Sequence, residues 1–266
     1  MVVSDSLAVV WHDLECGSYT ADLPLWRELA QAAADTGAGA GTGASAADAR
    51  AGAVLDVGAG SGRVALDLGR AGHGVTALDL DAELLQALRE RAAGMRVQTV
   101  CADARTFELE RRDFALCVAP MQTVQLLGGA AGRLGFLRQA RAHLRSGGML
   151  ACAIATEIEP FDCRAGDVGP APEMTRIDGA TYVSRPTRVR VGRRVVRIER
   201  ERSVIAGEQP APGRSPAGAR DVVELDRVSV SELQREGREA GLEPAGTRLI
   251  PETDEHTSSV AVMFRA

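Results

Sequence analysis

The sequence predicts an α/β fold: a doubly wound, mostly parallel sheet with an antiparallel last strand, carrying an antiparallel β insertion after the fifth strand. Three observations predict it. Short apolar runs alternate with helical patterns from Ala53 to Thr156, the texture of repeated βα units. The alternation stops after Glu157, where Pro160, Pro170 and Pro172 precede a stretch in which Val or Ile alternates with Arg. Two further apolar runs then close the chain around a short polar segment, as a terminal hairpin would.

At the N-terminal side, Leu23, Leu25, Trp26 and Leu29 recur at helical spacing behind Pro24, a residue suited to a first turn. Asp22 to Ala34 therefore reads as an amphipathic helix. The chain before it shows no sustained period, and residues 1–35 are taken together as an N-terminal lid and helix. Thr36 to Gly52 consists almost wholly of Ala, Gly, Ser, Thr and Asp. It offers too little apolar area to offset its ordering entropy, so 36–52 is expected to be a flexible insertion.

The core begins with a buried strand over Ala53 to Val57 and a helix over Arg63 to Ala71. A strand over Gly74 to Leu80 and a helix over Ala82 to Ala92 follow, with Leu84, Leu85 and Leu88 on one face. Val97 to Ala102 and Phe114 to Ala119 read as strands, Gly135 to Arg145 as a helix, and Met149 to Thr156 as the fifth strand. Val189 to Ile205 reads as an antiparallel pair turning at Gly192 and Arg193, and Gly207 to Gly218, rich in Pro and Gly, reads as a loop. Ser229 and Glu232 have capping-box spacing ahead of a helix that Gly241 can end. Thr247 to Ile250 and Ser258 to Phe264 are the final strands. The division expected is a core of 53–157 and 221–266, interrupted by an inserted β lid or substrate region over 158–220.

Composition narrows the partners. The chain has 266 residues, with 45% hydrophobic and only 3% aromatic residues, so its core must be built from Ala, Val and Leu, as suits a helix-covered parallel sheet. A formal net charge of -5 favours neither nucleic acid nor an anionic membrane. There is no lysine at all, so the Arg-rich run from Arg185 to Arg202 reads as a solvated strand face. It lacks interleaved aromatics, and Glu199 and Glu201 interrupt it. The five cysteines, Cys16, Cys101, Cys117, Cys152 and Cys163, show neither a CxxC pair nor a zinc-ligand spacing, and no metal is expected. Without a leader-like start or a run of about 18 apolar residues, a cytoplasmic location is expected.

The segment that carries most chemistry is Val54 to Arg63, VLDVGAGSGR, where an apolar strand enters a glycine turn and then a helix. Such a turn lets a ligand approach the backbone, and the helix start offers free N–H groups. A dinucleotide turn would place glycine where Arg63 stands. Glycines at Gly58, Gly60 and Gly62 behind Asp56 instead resemble the first motif of the class I S-adenosylmethionine-dependent methyltransferases, small-molecule type. The resemblance covers roughly Ala53 to Thr156 and the terminal hairpin, and implies a Rossmann-like core with S-adenosylmethionine as cofactor.

Carried over by position, the resemblance sets Gly58, Ala59 and Gly60 against the methionine part of the cofactor. Asp79, ending the second strand, would bind both ribose hydroxyls, with Leu80 beside it; a carboxylate suits two donors because it only accepts. Asp103 would meet the adenine amino group, with Ala102 and Ala104 flanking the ring, and Ala119 closes the fourth strand beside the cofactor. Plain alternatives stand beside these: Asp79 or Asp81 could cap the next helix, and Asp103 could stabilise a turn. Tyr19 to Trp26 is similar to the flap of small-molecule members, in which the tyrosine approaches the cofactor carboxylate.

Methyl transfer to a nitrogen or oxygen of a small-molecule metabolite is the activity the resemblance implies, aided mainly by alignment. The alternatives are a peptide or protein amine as acceptor, or a cofactor-binding protein without turnover. Val118 to Thr123, VAPMQT, departs from the Asn-Pro-Pro-aromatic tetrapeptide used on nucleobases and glutamine amides. Trp11, Met121 and Gln122 are the candidate substrate contacts. His256, in the terminal hairpin, and Glu157, past the fifth strand, are the candidate bases, each with a plain reading as a solvated loop residue. His73 and His143 read as structural.

Overall fold

The computed structural model describes residues 6–38, 54–205, 219–253 and 256–266. Its strands in chain order are β1 (Val54–Val57), β2 (Val75–Asp79), β3 (Val97–Cys101), β4 (Phe114–Ala119), β5 (Leu144–Ile154), β6 (Phe161–Asp162), β7 (Glu173–Ile177), β8 (Ala180–Val191), β9 (Val195–Ile205), β10 (Ala219–Asp226), β11 (Glu243–Ile250) and β12 (Ser259–Arg265). The helices are α1 (Leu7–His12), α2 (Leu23–Ala38), α3 (Arg63–Arg70), α4 (Ala82–Arg91), α5 (Gly129–His143) and α6 (Val230–Glu239).

The main sheet has the order β11-β12-β5-β4-β1-β2-β3. Strands β1 to β5 pair in parallel, and β12 runs antiparallel to both of its neighbours. The expected doubly wound sheet with its reversed last strand is therefore present. Strand order turns back between β1 and β4, and the loops after these two strands bound the crevice where ligands of such sheets sit.

Side-chain alternation divides the core into two layers. Val54 and Val118 point to a cluster that contains Trp26, Leu29, Val64, Leu68, Leu85 and Leu88 from α2, α3 and α4. Leu55, Val57, Cys117 and Cys152 point the other way, to Phe136 and Leu137 of α5 and Leu233 of α6. Burying Trp26 completely contributes on the order of 3 kcal/mol and fixes α2 against the sheet. The capping box forms as its spacing predicts: Ser229 accepts from the Glu232 amide, and the Glu232 carboxylate from the Ser229 amide.

The second sheet has the order β10-β9-β8-β6, with β7 also on β8, and all its pairings are antiparallel. Its hairpin turns after Val191, where the Gly192 amide reaches the Val195 carbonyl at 2.9 Å, and β10 carries it on to Asp226. Several arginines of this sheet are paired, among them Arg197 with Glu224 at 2.7 Å, Arg220 with Glu199 at 2.9 Å, and Arg202 with Glu15 at 2.7 Å. Among the described residues no helix is long and apolar enough to cross a membrane.

Three local expectations are corrected. Leu7–His12 and Asp13–Gly17 are helical, the latter as a π-helical turn, where the sequence has no period. Tertiary contacts hold them: Val9 packs on Leu84 and Ala87 of α4, and Trp11 stacks edge-on against Tyr182 of β8 at 5.5 Å. Helix α5 begins at Gly129, six residues before the apolar spacing becomes regular, because the Asp226 carboxylate takes up the Gly129 amide at its start. Helix α2 runs on through Ala38, into the stretch expected to be flexible. The rest of 36–52, and the loop expected over 207–218, lie outside the described residues.

Candidate functional site

Strand β1 ends in the glycine turn, where Gly58 and Gly60 have φ of +73° and +53°, a left-handed backbone that side chains disfavour. Close approach adds a second requirement. A Cβ on Gly58 would lie 2.5 Å from the Thr123 hydroxyl, and one on Gly60 would lie 2.3 Å from Nε2 of His12. The glycines thus serve the protein's own packing as well as any ligand. Ala59 is buried beside them, and Gly62 is the N-cap of α3.

Asp79 faces this turn from the end of β2. One carboxylate oxygen accepts from the Gly60 amide at 2.7 Å and the other from the Asp81 amide at 2.9 Å. The helix cap is Asp81, which accepts from the amides of Glu83 and Leu84. Asp79 is thereby left at the mouth of the turn with further lone pairs free to accept, and Leu80 beside it is 69% exposed. Asp103 follows β3 and does stabilise a turn, accepting from the Arg105 amide at 2.9 Å and its guanidinium at 2.5 Å. The Arg105 guanidinium, together with its amide, holds the Asp103 carboxyl down at about 2. Ala102 and Ala104 on either side are partly buried against the second core layer.

Asp56 is fully buried and neither carboxylate oxygen makes a hydrogen bond of normal geometry. Burial pushes its carboxyl up to about 7, helped by the charges of Asp79 and Asp22 and opposed by Arg63 and the Ala65 amide. A buried acid this weakly satisfied beside a left-handed glycine turn is a group that calls for an explanation. Asp79, at the mouth of the turn, is the acceptor that donors of a bound molecule could reach.

The candidate substrate contacts Met121 and Gln122 lie at the corner after β4. Ala119 is buried, and Met121 holds φ +52°, a strained conformation for a residue with a side chain. Gln122 is partly exposed and its carbonyl accepts from the Gln125 amide at 2.8 Å. The fully integrated glutamine is instead Gln125: its Nε2 donates to the carbonyls of Ala155 and Asp226, and its Oε1 accepts from the Ala155 amide.

The N-terminal segment is bound to the start of α3. Arg63, first residue of α3, donates to the Tyr19 carbonyl at 2.8 Å and to both oxygens of the buried Asp22. Its guanidinium lies 5.2 Å from the centre of the Tyr19 ring, and His256 packs on that ring at 4.6 Å. The Tyr19 phenol bonds Ser259; burial, the larger effect, raises its pKa. Trp11 is enclosed between α1 and the second sheet with Val10, Leu14, Ala180 and Tyr182. Glu157 is exposed past β5. Of the residues expected at the site, the structure thus gathers Asp56, the glycines, Asp79, Met121, Tyr19 and His256 around the ends of β1, β2, β4 and β12.

Sequence reasoning missed the two clusters that dock the N-terminal segment. One is Arg63 with Asp22. The other is His12, Asp13, Ser61 and Arg91: Ser61 donates to Asp13 at 2.5 Å, His12 Nδ1 lies 3.0 Å from the Ser61 hydroxyl, and Arg91 grips both oxygens of Asp13. No spacing rule links residues this far apart in the chain. A polar His-Asp pair within an apolar run was the available signal.

Residues 54–148 match the family model described as a methyltransferase domain. No curated protein sequence matches the chain. In structure it is similar to a sugar N-methyltransferase from Streptoalloteichus sp (TM-score 0.68, 16% identity, 98% of this chain and 96% of the other). It is also similar to an amino pentose methyltransferase from Micromonospora echinaspora, solved with S-adenosylmethionine bound (TM-score 0.63, 22% identity, 100% and 99%). A third similar structure is an S-adenosylmethionine-dependent methyltransferase from Clostridium acetobutylicum (TM-score 0.63, 13% identity, 96% and 96%).

Proposed function

We propose that this chain, which contains a methyltransferase domain within the fold of the S-adenosylmethionine-dependent methyltransferases, methylates a small polar metabolite, and that the acceptor is the amine of an amino sugar. The observation that carries the reading is Asp79, freed from helix capping by Asp81 and turned onto the glycine loop. S-adenosylmethionine supplies an electrophilic methyl group on a sulfonium. The ribose hydroxyls fall to Asp79, the methionine ammonium to the region of Gly58, Ala59, Gly60 and the buried Asp56, and the adenine to Leu80, Ala102, Asp103, Ala104 and Ala119.

The protein's own contribution is alignment and exclusion of water. Pro120, Met121 and Gln122 form the corner against which the acceptor is held, and Tyr19, fixed by Arg63, covers it from the N-terminal side. Trp11 acts from behind, holding α1 to the second sheet. An acceptor ammonium must lose its proton before it attacks, and His256, packed on Tyr19, is the base we favour over the exposed Glu157. The amino-sugar acceptor is supported by similarity in fold to two methyltransferases whose substrates are amino sugars or sugars.

Isothermal titration with S-adenosylhomocysteine, with NAD as control, tests the cofactor; transfer of labelled methyl to nucleotide-linked amino sugars, with peptide amines as competitors, tests the acceptor. Binding of the first ligand alone and labelling of the sugars is expected. Micromolar NAD affinity would overturn the cofactor reading, and labelling of peptide amines alone would overturn the acceptor.

A further inference from the structure

Ser61 has a single hydroxyl proton, and it goes to Asp13 at 2.5 Å. The His12 Nδ1 atom, 3.0 Å from the same hydroxyl oxygen, must therefore be the donor in that contact, because the oxygen has only lone pairs left to offer. Asp13 is held in place from its other side by Arg91, at 2.9 Å to one oxygen and 2.5 Å to the other. Burial, the largest influence, lowers the pKa of His12, against the raising effects of Asp13, Asp79 and Glu15 and with Arg91. The imidazole is then neutral, with its proton on Nδ1 and a bare lone pair on Nε2. That atom lies over Gly60, 2.3 Å from where a Cβ would stand, and Gly60 is the residue whose amide meets Asp79.

From this arrangement we infer that His12 is a cofactor-positioning residue: its Nε2 accepts a hydrogen bond from a donor of the cofactor, a ribose hydroxyl or the α-ammonium, over Gly60. The inference rests on the cofactor reading above. It adds a function for α1, which would then carry a ligand contact as well as covering the loop. It also assigns Ser61, Asp13 and Arg91 the task of fixing the tautomer, since a proton on Nε2 would turn an acceptor into a donor facing another donor.

Two-bond proton–nitrogen NMR of the wild-type imidazole reads the tautomer directly. The free protein is expected to show the Nδ1-protonated form, and the Nε2 resonance to move upfield on saturation with S-adenosylhomocysteine. Adenosine, which has the hydroxyls but no ammonium, should cause the same movement if ribose is the donor and none if the ammonium is. In titration calorimetry, His12→Phe, which keeps a ring but no lone pair, should weaken S-adenosylhomocysteine about tenfold, and His12→Gln should restore part of the loss. An Nε2-protonated ring, an unmoved Nε2 signal at saturation, or full affinity in His12→Phe would overturn the inference while leaving the cofactor reading intact. Absence of binding to the wild type would overturn both.

Discussion

Arg63 and Asp22 meet in a two-pronged ion pair, Nη1 to Oδ1 at 2.5 Å and Nη2 to Oδ2 at 2.9 Å, with only 8% and 0% of their side chains exposed. Removing one partner strands a buried charge. Arg63→Leu is expected to lower unfolding free energy by about 3 to 5 kcal/mol in urea titration, and the double substitution Arg63→Leu, Asp22→Leu to recover most of that loss. Equal losses in single and double variants would mean the pair does not couple the N-terminal segment to the core.

Asp56 gives a pH signature. Its folded carboxyl titrates at about 7, against 3.8 as its ordinary value, so the folded chain holds one proton more than the unfolded chain between those limits. The stability this adds is complete below the ordinary value and is lost as pH rises through about 7. Asp56→Asn should therefore change thermal stability little near pH 4 and raise it near pH 8, by at most about 4 kcal/mol. Melting temperatures of the two proteins across this range check it; a constant offset would show that Asp56 is not protonated when folded.

Gly60 and His12 should be coupled. Gly60→Ala meets both the left-handed backbone and the imidazole, and should cost more than about 2 kcal/mol. Adding His12→Ala relieves only the clash, leaving about 1 kcal/mol of backbone strain. A double-mutant cycle by chemical denaturation measures the difference, and additive losses would mean the ring simply moves aside.

Asp79→Ala should weaken S-adenosylhomocysteine by about 1 to 3 kcal/mol in calorimetry, since the ligand's hydroxyls lose a charged acceptor. Asp81→Ala, by contrast, should remove about 1 kcal/mol of helix-cap stability and leave affinity nearly unchanged. The reverse pattern would mean that the roles of the two acids are exchanged.

The strands of the main sheet were legible because Ala53 to Thr156 buries continuous apolar runs between amphipathic helices, and periodicity registers burial directly. Ser229 and Glu232 were legible because a capping box is local. Leu7 to Gly17 was not: a short helix has little stability of its own, and this one is held by Val9 on α4, Trp11 on Tyr182 and Asp13 on Arg91. The site divides along the same line. Asp56, Asp79 and the glycines stand at strand ends, where sequence and position coincide. His12, Ser61 and Arg63 take their roles from partners distant in the chain, which a single sequence does not reveal. The choice between Asp79 and Asp81 as helix cap likewise needed the hydrogen bonds themselves.

The three bonds of Gln125 have an evolutionary consequence. One amide group holds Ala155, just past the end of β5 where the chain departs for the second sheet, and Asp226, where it comes back. Exit and return are thus neighbours in space, and among the described residues the excursion between them takes no part in the main sheet's pairing. Segments attached in this way can be lengthened, traded or recombined with little disturbance of the parent scaffold. The second sheet can then be exchanged as a whole cassette, while the glycine turn of β1 remains under separate selection.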